Sequence, residues 1–256
     1  MTETPPPDGP QETFISHLIE LRSRLLRSVV AIMIALVVLF PWAKEIYALL
    51  AAPLLKVLPH GSSMIATDVT GTFLVPLKVT LMAAFMITLP YVLWQMWAFV
   101  APGLYQHEKK LAAPLIFSSV VFFLLGMAFA YFVVFPWVFA FFVSYTPSGV
   151  QMMTDIDKYL SFVLWMFVAF GATFETPVVE VVLVRMGIVP LAKLKEIRRY
   201  VIVGAFVVAA VITPPDVVSQ LMLAVPMCLL YEFGLVLARF FPPPVAEDAA
   251  AQAPGK

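Results

Sequence analysis

Residues 111–142 read LAAPLIFSSVVFFLLGMAFAYFVVFPWVFAFF, 32 residues without one charged side chain. A run well beyond about 18 apolar residues needs lipid as its solvent, because no core of a chain this size could bury it. As a helix rising ~1.5 Å per residue it would extend about 48 Å, against a hydrocarbon core of about 30 Å. It must therefore tilt, bend or project beyond the lipid, and Gly126 and Pro136 are the places to bend it. The rest of the chain agrees with this stretch. Of 256 residues, 62% are apolar and 12% are charged, with a mean hydropathy of +0.95. An ordinary soluble domain, near half apolar and a quarter charged, is excluded.

Outward from 111–142 lie five further apolar segments, 25–42, 73–99, 159–186, 200–212 and 217–237. They lack the alternation of a barrel strand, and lipid requires internally paired backbone groups, so the fold class is an all-α membrane protein with six transmembrane helices. The fifth segment and the uninterrupted part of the sixth, 221–231, are too short for an unperturbed bilayer. Local thinning, a partner helix or simple snorkelling of Arg199, Ser219 and Gln220 are the alternatives. Residues 1–13 are acidic and proline-rich with no basic signal-peptide start, and 241–256 are Pro/Ala-rich. Both read as disordered tails around one domain, 14–240.

The formal charge is zero, with 16 basic and 16 acidic residues, so nothing points to nucleic acid. Placement is more informative than the total. Twelve of the basic residues fall in the N-terminal segment (Arg22, Arg24 and Arg27), the second and fourth connections and the end of the chain; Lys44, Lys56, Lys78 and Lys158 fall on the other side. The positive-inside rule puts both termini in the cytoplasm and makes 43–72 and 143–158 outer loops. Much chemistry is missing. His107-Glu108-Lys109-Lys110-Leu111 has leucine where a zincin needs its second histidine, Cys228 is the only cysteine, and no phosphate loop or serine elbow is present. Neither an enzyme, a metal site nor a bound cofactor is expected.

The carboxylates carry the interest, since lipid excludes charge. Glu20 lies opposite an apolar stripe of Phe14, Leu18, Leu21 and Leu25, beside Arg24 and Arg27. It is either an ordinary i,i+4 partner of arginine or an acid presented at the membrane surface. Glu108 sits in the connection 101–110, near Trp94, Trp97, Phe99, Pro102 and Tyr105. It is either a solvated loop charge or an acid held by an aromatic rim for a basic ligand. Glu175 is deep in the fourth segment between Phe174 and Pro177, where a charge costs about 2.5–3.5 kcal/mol or more unless it meets water, protein or a proton. Glu180, about 140° further round the helix, reads as snorkelling, and Asp216 as the cap of the last helix.

Four blocks resemble the TatC family. They are Phe14-Ile15-Ser16-His17-Leu18-Ile19-Glu20-Leu21-Arg22; Trp97-Ala98-Phe99-Val100-Ala101-Pro102-Gly103-Leu104-Tyr105 with His107-Glu108; Ala169-Phe170-Gly171 through Phe174-Glu175-Thr176-Pro177; and Ile212-Thr213-Pro214-Pro215-Asp216. The resemblance spans 14–240, and TatC is the multispanning subunit of the twin-arginine translocase. It implies a multi-pass bacterial inner-membrane receptor, a cupped helix bundle that binds Arg-Arg signal peptides of folded precursors and exports them on the proton-motive force. It also implies that Glu20 and Glu108 engage the paired arginines, with Phe99 and Arg22 shaping the site. Adjacent guanidiniums need more than one acceptor, which two carboxylates supply. Glu175 matches the intramembrane acid of the family. Thr213 and Gln220 match positions where the single-span TatB and TatA partners dock in a multi-copy hetero-oligomer. A proton-coupled solute transporter using Glu175 is the alternative from another class, but it calls for an internal repeat, and the halves show none.

Overall fold

Lipid offers the backbone no hydrogen bonds, so each apolar run closes on its own carbonyls. The computed structural model describes residues 10–55, 64–100, 109–147, 153–213 and 216–241, and no strand occurs among them. The helices are α1 (Pro10–Leu39), α2 (Ala43–Leu55), α3 (Gly71–Val100), α4 (Lys109–Phe129), α5 (Phe135–Ser144), α6 (Ile156–Phe174), α7 (Thr176–Arg185), α8 (Leu191–Glu196), α9 (Arg198–Ile212) and α10 (Val217–Ala238). Among the described residues five stretches are long and apolar enough to cross a membrane: Ile15–Ala52, Gly71–Val100, Ala113–Ser144, Ile156–Arg185 and Val217–Ala238. The regions expected to be tails fall largely outside the described residues, although α1 is already helical at Pro10.

Three expectations change. The start of the supposed outer loop 43–72 is helical, because Pro41 sits in the first turn of a 3-10 segment, Phe40–Trp42, where a missing N–H costs nothing. That segment hands the chain from α1 to α2 almost without a break. Within α2 the Leu49 carbonyl would normally bond residue 53, a proline without an N–H, and the Tyr131 hydroxyl donates to it at 2.8 Å instead. The Tyr159 hydroxyl donates to the Leu50 carbonyl at 3.0 Å, so α2 is docked by two phenols.

The long third run departs from regular α geometry between the two residues proposed for its bend, as a π turn over Ala130–Val134. Pro136, in the first turn of α5, has no N–H to return to Phe132, and a wider turn accommodates the loss. Gly126 has another job. A Cβ there would collide with the Phe170 carbonyl of α6, while a Cβ on Gly171 would collide with the Phe123 ring of α4. The two glycines are reciprocal notches, the way helices approach where lipid supplies no hydrophobic drive between them.

The last helix is longer than its apolar run suggested. Asp216 accepts from the Ser219 N–H at 2.7 Å and starts α10 at Val217, giving 22 residues, about 33 Å. The α9 helix, at 15 residues, remains short, about 22 Å. At one end of the bundle Lys78 of α3 pairs with Asp157 of α6 at 2.6 Å. Nearby, Ile65 bridges the 153–156 segment, donating to the Thr154 carbonyl at 3.0 Å and accepting from Ile156 at 2.9 Å. Asp155 caps α6 through the Asp157 and Lys158 N–H groups at 2.9 and 3.0 Å and also accepts from the Thr67 hydroxyl.

Candidate functional site

The opposite end brings the start of α1 against the end of α3. The His17 and Phe99 rings stack with centroids 4.3 Å apart and planes 19° from parallel. One turn along α1, Glu20 accepts from Arg24 twice, from Nε at 2.9 Å and Nη2 at 2.6 Å, both onto Oε1. Arg24 Nη1 donates to Gln95 Oε1 of α3 at 3.3 Å, and Gln95 Nε2 donates to the Tyr91 hydroxyl at 2.8 Å. The Glu20 side chain is nevertheless 41% exposed. Arg22 is exposed two residues on. Glu108 lies outside the described residues, in the connection between Val100 and Lys109. The structure thus brings Glu20 and Phe99 to one end, joined through His17.

Glu175 occupies a break in the fourth apolar segment rather than an unbroken helix. Pro177 cannot donate to Thr173, and its ring crowds the preceding turn, so α6 stops at Phe174 and α7 begins at Thr176. At this break the Glu175 carboxylate is 7% exposed and neither oxygen meets hydrogen-bond geometry. The Ser119 hydroxyl of α4 lies close enough to interact with it. Ser119 in turn accepts from the Trp97 indole at 2.8 Å. A buried polar line therefore runs from Trp97 of α3 through Ser119 of α4 to the acid at the break.

Glu180 does not snorkel. It is 3% exposed, and both its oxygens are buried without a partner. It packs on α10 at Gly234, where an added Cβ would stand 2.8 Å from the Glu180 carboxyl carbon and from Pro177 Cα. Only a glycine lets α7 come this near α10, and that approach covers a side chain otherwise long enough to reach the surface. Arg198 and Glu232 pair at 2.8 Å across α9 and α10. Thr213 and Gln220 both work inside the α9–α10 hairpin: the Thr213 hydroxyl donates to the Ala209 carbonyl at 2.8 Å, and Gln220 Nε2 to the Phe206 carbonyl at 3.2 Å. Among the described residues no group of three or more His, Cys, Asp or Glu is arranged to hold a metal.

The chain as a whole resembles known proteins. The family model described as Sec-independent protein translocase protein (TatC) matches residues 16–226. The chain belongs to the TatC family. It is 55% identical over 250 residues to the TatC protein of Azotobacter chroococcum, covering 96% of this chain and 98% of that one. To the Escherichia coli TatC protein it is 51% identical over 230 residues, 90% and 89% of the two chains. A crystal structure of a twin-arginine translocase receptor TatC superposes with a TM-score of 0.78 at 39% identity, covering 88% of this chain and 98% of that one. As a TatC-family chain with several membrane-crossing helices, the molecule is a multi-pass inner-membrane subunit of the Sec-independent translocase.

Several features of this TatC-family chain escaped sequence reasoning. Gln95, an amide in an apolar run, was a visible signal, since a buried amide requires partners. The His17–Phe99 stack and the Trp97–Ser119 bond join residues of different helices, and no local pattern announces them.

Proposed function

We propose that the chain is the signal-peptide receptor and core of a twin-arginine translocase, with six spans and both termini cytoplasmic. The sixth span in this count is α9, whose short length is accommodated by α10 and by a thinned bilayer. A single domain, 14–240, carries the activity between two short tails. Glu20 and Glu108 accept the two guanidiniums of an Arg-Arg signal peptide, and Phe99 and Arg22 shape the surface around them. Glu175 provides an intramembrane polar contact during passage of folded precursors. The α9–α10 hairpin, through Thr213 and Gln220, receives the single-span TatA and TatB subunits, and the proton-motive force drives export. The role is one of binding and conveying, without a catalysed reaction or a cofactor.

The observation that carries this reading is the exposed Glu20 carboxylate, joined to Phe99 by the His17 stack at the end where the connection bearing Glu108 leaves α3. A solute carrier has no use for acids displayed there, whereas a basic peptide does. The test is crosslinking of an Arg-Arg signal peptide to membranes containing the wild type, Glu20→Ala or Glu108→Ala. Loss in each variant supports the reading, and unchanged crosslinking removes these acids from it.

A further inference from the structure

Glu20 is not a free carboxylate on a flexible stem. Building on the assignment of Glu20 to signal-peptide binding, we infer that Arg24 and Gln95 are positioning residues that hold the Glu20 carboxylate ready for an incoming guanidinium. Both Arg24 bonds converge on Oε1, at 2.9 and 2.6 Å, so the second carboxylate oxygen takes neither. That oxygen remains as an acceptor on a half-exposed group. The remaining arm of the Arg24 fork is tied at 3.3 Å to Gln95 Oε1. Gln95 is 3% exposed, and its own NH2 is committed to Tyr91 at 2.8 Å, which keeps the amide oxygen turned to Arg24.

A Glu–Arg pair at i,i+4 with nothing behind it adds little and leaves both long side chains free to turn. Here the arginine is anchored on a neighbouring helix by a buried amide, so the rotamers of Arg24 and then of Glu20 are restricted before any ligand arrives. Affinity gained in this way comes from ordering already done, not from a new contact. The tie also accounts for a polar amide in an otherwise apolar stretch of α3, whose backbone needs are met within the helix. It favours a planar guanidinium over an ammonium, because a fixed carboxylate rewards a ligand of fixed geometry.

The purified full-length chain in lipid nanodiscs is titrated with a fluorescent Arg-Arg signal peptide and with its Lys-Lys version. Gln95→Leu leaves every charge in place, and the expected result is Arg-Arg binding weakened about 3- to 10-fold, with Lys-Lys binding unchanged. Arg24→Lys keeps the charge but loses the fork, and the same direction is expected of it should the leucine variant fold poorly. Combining Gln95→Leu with Glu20→Gln is expected to be no weaker than Glu20→Gln alone, since Gln95 acts through Glu20. Wild-type Arg-Arg affinity in Gln95→Leu and Arg24→Lys, or the same fold loss from Gln95→Leu with and without Glu20, overturns the inference alone. Wild-type affinity in Glu20→Gln overturns the assignment of Glu20 and the inference with it.

Discussion

The imidazole of His17 lies flat on the ring of Phe99, centroids 4.3 Å apart, and this contact fixes the entry of α1 against the exit of α3. Glu20 is one turn from the stack, and the connection containing Glu108 begins two residues after Phe99. The end of α1 that carries Glu20 is thus tied to the end of α3 by an aromatic pair that makes no charge contact itself.

Removing either ring should therefore loosen the site without removing an acceptor. A stacked pair of this kind contributes about 0.5–1.5 kcal/mol, so Phe99→Ala or His17→Ala is expected to weaken Arg-Arg peptide binding about 2- to 10-fold. Phe99→Tyr retains the stack and should bind like the wild type. Peptide titration against the purified variants measures this, and equal losses in Phe99→Ala and Phe99→Tyr would assign the effect to something other than stacking.

Glu175 stands at a helix break with the Ser119 hydroxyl beside it and Trp97 behind Ser119. A neutral amide of the same length can occupy that place, whereas alanine leaves a polar notch empty. Export of an Arg-Arg precursor into membrane vesicles is expected to survive Glu175→Gln better than Glu175→Ala. Equal defects in the two would show that the negative charge itself is required.

The glycine notches should be unforgiving in proportion to what faces them. At Gly126 the obstacle is the Phe170 backbone and at Gly234 it is the Glu180 carboxyl group together with the Pro177 backbone, so neither side can simply rotate away. Gly126→Ala and Gly234→Ala are each expected to destabilise the purified chain by about 1–3 kcal/mol, read as a lowered thermal midpoint in detergent. At Gly204 nothing stands within 4 Å of an added Cβ, so Gly204→Ala serves as the control and should leave the midpoint unchanged or raised.

At the other end of the bundle the Thr67 hydroxyl and the α6 amides hold the Asp155 carboxyl down to about 2 from 3.8. A depressed carboxyl contributes stability that is complete above the unfolded value, near 4, and is lost as pH falls through the folded value. The thermal midpoint of the wild type should therefore decline between about pH 4 and about pH 2 more steeply than that of Asp155→Asn, which caps the helix without titrating. Parallel declines would remove Asp155 from the acid response.

Hydropathy made the spans legible because lipid punishes charge wherever it falls, and Glu20, Phe99 and Glu175 could be named from their motifs. What escaped was anything decided by a second helix. Glu180 looked able to reach the surface until Gly234 brought α10 over it, and Gly126 looked like a bend until Phe170 turned out to need its space. The α2 helix was hidden because Pro41 resembles a stop, although a proline in a first turn starts a helix as well as it ends one. The four-residue chain from Tyr91 to Glu20 through Gln95 and Arg24 has only its amide to advertise it, and an amide does not name its partner.

The most direct test of the receptor assignment is retention of an Arg-Arg signal peptide, against its Lys-Lys version, by the purified full-length chain on an affinity support. The account predicts that the Arg-Arg peptide is retained and the Lys-Lys peptide is not, and that Glu20→Ala and Glu108→Ala each abolish or weaken the retention. Equal retention of both peptides by the wild type, or undiminished retention of the Arg-Arg peptide by both variants, would contradict it.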